Sequence, residues 1–276
     1  MPEGDTIFRA ARTLQLALGG KSVTDFQTVL PALSRIDEDE PLRGRTVLRV
    51  EPRGKNLLIH LSGDLTLYSH LRMNGAWHVY RSGERWQRRS DDMRVVIGTE
   101  EWSAVGFRIP VLEFRRTTEL ARHPVLRALG PDLLGDEPDV DAALANLRAR
   151  AEVVIADALL DQHVAAGIGN VFKSEVLFVR GVAPQRRVAD LSEEQLRGLL
   201  ETARKMLRSN VSDRTDGRLV YGGPRRTAGG LRPTERLWVY GRRDRPCRRC
   251  GTPIAWQRLG RDARSTYWCP RCQPDG

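Results

Sequence analysis

Pro2 and Glu3 stand at the head of the chain, directly before a helical pattern. Removal of the initiator methionine would leave Pro2 as a free secondary amine. An amine attacks an electrophilic carbon only when unprotonated. An α-amino group with a pKa of ~7.8 is about one-third neutral at pH ~7.5, against ~0.1% for a lysine at ~10.4, so a chain terminus is the more available nucleophile. Proline is more basic than the generic terminus, and the positive end of the following helix offsets that difference. A secondary amine condensing with an aldehyde gives a permanently charged iminium, an electron sink. Glu3 beside it can carry protons to and from a ring-opening sugar. Taken alone, Met-Pro-Glu reads more simply as an ordinary start to a coding sequence followed by a helix.

A second constellation closes the sequence. Cys247, Cys250, Cys269 and Cys272 are the only four cysteines and form two C-x-x-C pairs separated by 18 residues. That spacing fits a tetrahedral site of four thiolates for zinc, and with no spare ligand in the segment the ion is structural. A redox dithiol needs only one pair, and disulfides do not persist in the cytosol. Between the pairs, "IAWQRLGRDARSTYW" reads as two strands around a Gly/Asp turn, carrying Arg258, Arg261 and Arg264. A metal-stapled hairpin bearing arginines suits a DNA groove or a phosphate; an arginine-decorated surface is the equal alternative for Arg264. In "DQHVAAGIGNVFKSEVLF", Gly167, Gly169 and Asn170 lie between two helical patterns. Glycines admit a phosphate to the backbone and the next helix offers unpaired amides, although helix-turn packing explains the motif as well. Asn170 either caps that helix or binds the phosphate itself.

The bulk composition narrows the partners. The chain has 276 residues, room for about two domains, and a net charge of +10. Such a field attracts polyanions, so nucleic acid is the default partner. Arginine supplies 41 of the 45 basic residues, which makes a lysine in a tight motif, such as Lys55, more informative than usual. No apolar run of ~18 residues is present to span a bilayer, and the acidic start lacks the features of a secretory signal; a cytoplasmic protein is expected.

The elements that must position these residues read as an α+β protein. A buried helical stripe of Ile7, Ala10, Ala11, Leu14, Ala17 and Leu18 follows an N-cap at Asp5 or Thr6 and stops at Gly19-Gly20. From about residue 22 to 115, β-prone runs ("TVLRVEPRGKNLLIHL", "DLTLYSHLRMNGAWHVYR", "DMRVVIG", "IPVLEF") predict a sandwich or barrel. A Pro/Gly/Asp-rich passage leads to a helical half with segments "VDAALANLRARAEVVIADALLD", "NVFKSEVLFVRG" and "LSEEQLRGLLETARKMLRS". In the last, Ser192 and Gln195 form a capping box. The Gly/Arg-rich loop "SDRTDGRLVYGGPRRTAGGLRP" after it is too long for a simple connector and is expected to be mobile or to face nucleic acid.

Over nearly its whole length the chain resembles the formamidopyrimidine-DNA glycosylase / endonuclease VIII family. The resemblance rests on "MPEG", "RGKNLL" around Lys55, "LTLYSHLRMNG", "DQHVAAGIGNVFKSEVLF" and the terminal "YWCPRCQ", in that order. It implies an N-terminal β-sandwich domain with a leading helix over residues 1–125, a linker over 126–140, a helix-two-turn-helix DNA-binding domain over 141–235 and a zinc-finger β-hairpin over 236–276. It further implies a monomer working on damaged DNA in the bacterial cytoplasm and nucleoid. By the family pattern, Pro2 attacks C1′ of a damaged nucleotide, Glu3 is the general acid/base and Lys55 assists as proton donor and phosphate contact. Successive β- and δ-eliminations then cut the strand. Asn170 and Arg264 would hold phosphates around the flipped nucleotide, and Arg72, Met73 and Asn74 would fill the gap it leaves. Met73 has an alternative as a core methionine. Two departures, Thr6 where the family commonly has a carboxylate and "SAVGFRIP" in place of an Asp-x-Arg-x-Phe-Gly loop, favour the endonuclease VIII branch and oxidised pyrimidines. The competing class is a non-catalytic zinc-ribbon nucleic-acid-binding protein, which leaves Met-Pro-Glu and Lys55 unexplained.

Overall fold

The computed structural model describes residues 2–211, 227–228, 236–260 and 262–275. The Gly/Arg-rich loop, apart from Thr227 and Ala228, and Arg261 lie outside the described residues. The described residues divide into two compact units, one up to Arg127 and one from Ala128 onward.

The first unit begins with helix α1 (Gly4–Leu18), whose Ile7, Ala10, Ala11, Leu14, Ala17 and Leu18 are all buried. Each buried leucine or isoleucine contributes about 1.5–3 kcal/mol. The helix starts earlier than the sequence suggests. Glu3 is the N-cap residue, and its carbonyl accepts from Thr6 N at 2.9 Å and Ile7 N at 3.1 Å. Asp5 does not cap, because its buried carboxylate faces Arg9 at 3.5 Å and accepts from the Thr6 hydroxyl at 3.2 Å.

Eight strands follow with one helix among them: β1 (Asp25–Thr28), α2 (Pro31–Asp39), β2 (Val47–Arg53), β3 (Asn56–Leu61), β4 (Leu65–His70), β5 (Ala76–Arg81), β6 (Met93–Gly98), β7 (Trp102–Phe107) and β8 (Val111–Arg116). They form two four-stranded antiparallel sheets, ordered β2-β3-β4-β8 and β1-β6-β7-β5. A shared core runs from α1 through Val50, Leu57, Ile59 and Leu67 of one sheet to Trp77, Val95 and Ala104 of the other, which makes the unit a sandwich. β7 and α2 were not legible as elements. "WSAVGF" mixes Gly and Ala into its strand, and Gly106 is required there because a Cβ would meet Ile109 Cδ1 at 2.8 Å and Val95 Cγ1 at 2.9 Å.

The second unit holds α4 (Val140–Arg148), α5 (Ile155–Ala158), α6 (Asn170–Arg180) and α7 (Glu193–Val211), then the hairpin β9 (Ala255–Leu259) and β10 (Arg264–Trp268); α3 (Pro124–Arg127) ends the first unit. The segment expected as one helix from Val140 to Asp161 is broken between α4 and α5. Val154 instead bridges Arg187 in antiparallel fashion, and Val153 O accepts from Val188 N at 3.0 Å. The capping box is present: Ser192 N donates to Gln195 Oε1 at 2.9 Å and Gln195 N to Ser192 Oγ at 3.2 Å. The hairpin pairs Arg264 with Leu259 through to Trp268 with Ala255.

Candidate active site and metal centre

Pro2 is half-buried and Glu3 fully buried at the mouth of α1. Pro2 thus directly precedes the N-terminal, positive end of the α1 dipole. Lys55 sits half-buried on the two-residue turn joining β2 to β3, where Gly54 takes a φ of +59° that other residues rarely adopt. Asn56 braces this turn. Its Nδ2 donates back to Arg53 O at 2.9 Å, and its Oδ1 accepts from the buried Tyr68 hydroxyl at 2.6 Å. Burial pushes the Tyr68 phenol up to about 12, with Glu113 adding to the effect, so Tyr68 remains a donor.

The β4-β5 connection presents Arg72, Met73 and Asn74 as three successive exposed residues. Met73 is 58% exposed, which removes the core alternative for it. Arg72 has a φ of +47°, and Gly75 closes the turn by donating to Leu71 O at 2.9 Å, with a Cβ there meeting that oxygen at 2.5 Å. Sequence reasoning missed His70, at the end of β4. Its Nδ1 accepts from Arg72 N at 3.1 Å, and burial, then the charges of Arg72 and Lys55, hold its pKa below the ordinary value. His70 thus accepts from the Arg72 backbone and also senses the charge of Lys55. No local signal marks it, since it comes opposite Asn56 only when β3 and β4 pair.

Where "SAVGFRIP" departs from the formamidopyrimidine pattern, Arg108 follows β7 with a φ of +48° and pairs with Asp92 at 2.7 Å.

In the second unit, Gly167 takes a φ of +104° and Gln162 holds the turn around it, accepting from Gly167 N at 3.1 Å and donating to Ile168 O at 3.0 Å. Gly169 is the N-cap of α6, so Asn170 is not the cap but the first helical residue. Its side chain is buried, and Nδ2 donates to Ser265 O at 2.8 Å on β10. Arg264, the preceding residue on that strand, is exposed and faces Asp262 at 3.5 Å. Asn170 and Arg264 are therefore brought together by one strand end.

The four cysteine sulfurs lie within 4.8 Å of one another, with separations of 3.9 Å for Cys247–Cys272 and 3.5 Å for both Cys250–Cys269 and Cys250–Cys272. Four Zn–S bonds of ~2.3 Å in a tetrahedron set sulfurs about 3.8 Å apart, so the donor set fits zinc in both chemistry and span. Burial raises Cys269 and pushes Cys272 up to about 12, while hydrogen bonding with Thr252 lowers Cys250 to about 6. A divalent cation supplies the charge that lets all four ionise together.

The order of sandwich, helix-two-turn-helix and four-cysteine hairpin defines a class of two-unit proteins. Models of the formamidopyrimidine-DNA glycosylase N-terminal domain, its H2TH domain and the zinc finger found in FPG and IleRS match residues 1–116, 129–219 and 245–274. The chain is 46% identical over 276 residues to the probable endonuclease 8 2 of Streptomyces coelicolor, covering 99% of this chain and 94% of that one. It is 40% identical to the DNA-(apurinic or apyrimidinic site) lyase Nei2 of Mycolicibacterium smegmatis, covering 99% of each. Endonuclease 8 of Escherichia coli is 35% identical, with 99% and 100% covered. In fold it is similar to Lactococcus lactis formamidopyrimidine-DNA glycosylase bound to DNA containing an AP site, with a TM-score of 0.80 at 22% identity over 99% of this chain and 100% of that one. The chain belongs to the formamidopyrimidine-DNA glycosylase / endonuclease VIII family, on its endonuclease VIII branch. No described helix is long and apolar enough to cross a membrane.

Proposed function

We propose that the protein is a bifunctional DNA glycosylase and AP lyase of base excision repair that removes oxidised pyrimidines through a Schiff base at Pro2. The observation that carries this reading is the fully buried Glu3 carboxylate next to Pro2 at the positive end of α1. The Pro2 nitrogen, exposed after methionine removal, attacks C1′ of the damaged nucleotide as the C1′–N bond breaks and the base departs with a proton. Glu3 protonates the ring oxygen as the sugar opens to the iminium, then accepts a proton in the return direction. Loss of a C2′ proton expels the 3′ phosphate, and a second elimination expels the 5′ phosphate. Lys55 supplies a proton and a phosphate contact from its braced turn. Arg72, Met73 and Asn74 enter the space left by the everted nucleotide, while Asn170 and Arg264 grip its phosphates. Zinc held by Cys247, Cys250, Cys269 and Cys272 keeps the hairpin that carries Arg264 in shape. The protein works as a monomer on DNA in the cytoplasm and nucleoid.

Borohydride reduction tests the covalent step. The processed protein is expected to become irreversibly joined to an oligonucleotide containing an abasic site, and a form with a blocked terminus is expected not to. Intact mass establishes beforehand that methionine has been removed. Binding without trapping by the unblocked protein would leave the non-catalytic zinc-ribbon reading in its place. A panel of oligonucleotides with one lesion each tests the pyrimidine preference.

A further inference from the structure

Lys173 is 1% exposed, one of the largest fully buried side chains of the protein. It lies one helical turn after Asn170 on α6. Its Nζ donates to Asn170 Oδ1 at 2.8 Å, to Thr266 Oγ1 at 2.7 Å and to Ser265 O at 3.4 Å. The Thr266 hydroxyl, fully buried, donates onward to Arg264 O at 3.1 Å. We infer that Lys173 is a positioning residue that fixes the Asn170 amide and the start of β10 as one phosphate-gripping unit. This rests on the reading of Asn170 and Arg264 as phosphate ligands.

The chemistry allows only one arrangement. An ammonium is a donor only, so the Asn170 atom against Lys173 must be the carbonyl oxygen. The other atom, against the Ser265 carbonyl, must be the amide nitrogen. Both ends of the amide are thereby oriented by partners of opposite hydrogen-bonding sense, and the flipped rotamer would set carbonyl against carbonyl. Nδ2 carries two hydrogens, one of which is committed to Ser265 O; the orientation set by Lys173 leaves the second N–H, and not the carbonyl, for an incoming phosphate oxygen. The same ammonium holds Thr266, and through it the backbone of Arg264. A neutral side chain of equal length would leave the amide free to turn and the strand end free to shift. Sequence reading gave Lys173 no role, because its meaning depends on a hairpin more than ninety residues away, as the 93-residue separation between Lys173 and Thr266 records.

The test is a double-mutant cycle in affinity for an abasic-site duplex, using the zinc-loaded full chain. Lys173→Met and Asn170→Ala are each expected to weaken binding about tenfold, the loss that a single charge-assisted contact carries. The double variant should be within about twofold of either single variant, because the two changes remove the same contact. In ¹H–¹⁵N spectra the Asn170 side-chain amide pair should move in Lys173→Met. Metal content and thermal melting establish that each variant is folded. Wild-type affinity in Lys173→Met, with Asn170→Ala weakened, would overturn the inference alone, and so would fully multiplicative losses. Wild-type affinity in Asn170→Ala would instead remove the phosphate reading and the inference with it. If Lys173→Met does not fold, Thr266→Val provides the second arm: the Asn170 amide resonances should shift and affinity should fall about threefold, as for one neutral hydrogen bond. Unmoved resonances and affinity there would overturn the inference as well.

Discussion

Replacing Tyr68 by Phe removes one oxygen atom from the brace beneath the Lys55 turn, and the consequences can be worked from the contacts around it. Tyr68 and Asn56 are 3% and 2% exposed, and the Tyr68 hydroxyl is the partner of Asn56 Oδ1 at 2.6 Å. The ring itself is held independently by His123, with centroids 4.6 Å apart, so phenylalanine keeps the packing. What remains is a buried amide oxygen without a donor, a defect that costs about 1–3 kcal/mol. A loss of about 2 kcal/mol should lower the melting temperature of the first unit by roughly 5–10 °C. If about half of that loss appears as release of the Asn56 side chain from Arg53 O, the turn spends less time closed and single-turnover cleavage at an abasic site slows about fivefold. The assay pairs thermal melting with single-turnover cleavage. Tyr80→Phe serves as the control, because that hydroxyl lies 3.3 Å from His78 Nδ1 and 3.2 Å from Gln87 N, well away from the turn. A second variant separates stability from positioning. In Tyr68→Phe with Asn56→Leu both polar partners are gone, so stability should recover in part, while cleavage should stay slow because the bond to Arg53 O is lost too. Unchanged melting in Tyr68→Phe would refute the energetic argument. Lowered melting with wild-type cleavage would refute the link to Lys55.

The remaining expectations concern the metal and His70. Prolonged chelation should release one zinc per chain and abolish binding to abasic DNA while the sandwich keeps its own melting transition, since the cysteines all lie in the second unit; DNA binding that survives metal loss would contradict the structural role of the ion. The pKa of His70 is depressed by burial and by Arg72 and Lys55. Between the depressed value and the ordinary 6.5 the unfolded chain takes up a proton that the folded one refuses, so this contribution to stability is full above 6.5 and is lost as pH falls below it. Lys55→Met removes one of the depressing charges and should move the His70 titration upward by NMR; an unmoved midpoint would mean that the two side chains do not sense each other.

What could be read from the sequence was what local chemistry dictates. The capping box at Ser192 needs only residues three apart, the β2-β3 hairpin needs a glycine at a positive φ between two apolar runs, and the cysteine spacing is itself a statement about ligand geometry. The missing pieces each depend on a distant partner. Asp5 looks like a cap until Arg9 and the core claim its carboxylate, and the helical pattern from Val140 onward is interrupted because Val154 finds Arg187 across a bridge. Of the candidate site, Lys55 stands out in the sequence as one of only four lysines in an arginine-rich chain. Asn56 and Tyr68 do not, because they meet only when β3 and β4 pair.

The C-terminal hairpin raises the question of what holds it on the helical part of its unit, since zinc alone links only its own cysteines. α6 supplies the answer along its length. Near its start, Asn170 and Lys173 bind β10. Glu175, fully buried, accepts from the backbone N–H groups of Trp238 at 2.7 Å, Val239 at 2.9 Å and Tyr240 at 2.8 Å, and from the Thr227 hydroxyl. At its end, Arg249 donates to Phe178 O at 3.2 Å and Val179 O at 3.3 Å, with its guanidinium over the Phe178 ring at 4.4 Å. Just beyond, Gln273 donates to Val182 O at 2.8 Å. A buried ammonium and a buried carboxylate two residues apart would be costly if their hydrogen bonds were incomplete, and each is engaged by a different segment of the metal-binding region. A metal held by the four cysteines would set the internal shape of the hairpin, whereas α6 sets the hairpin's register against its own first residue, Asn170. Loss of zinc and loss of Lys173 should consequently weaken phosphate binding by separable routes, the first by unravelling the hairpin and the second by leaving an intact hairpin with its amide unaligned.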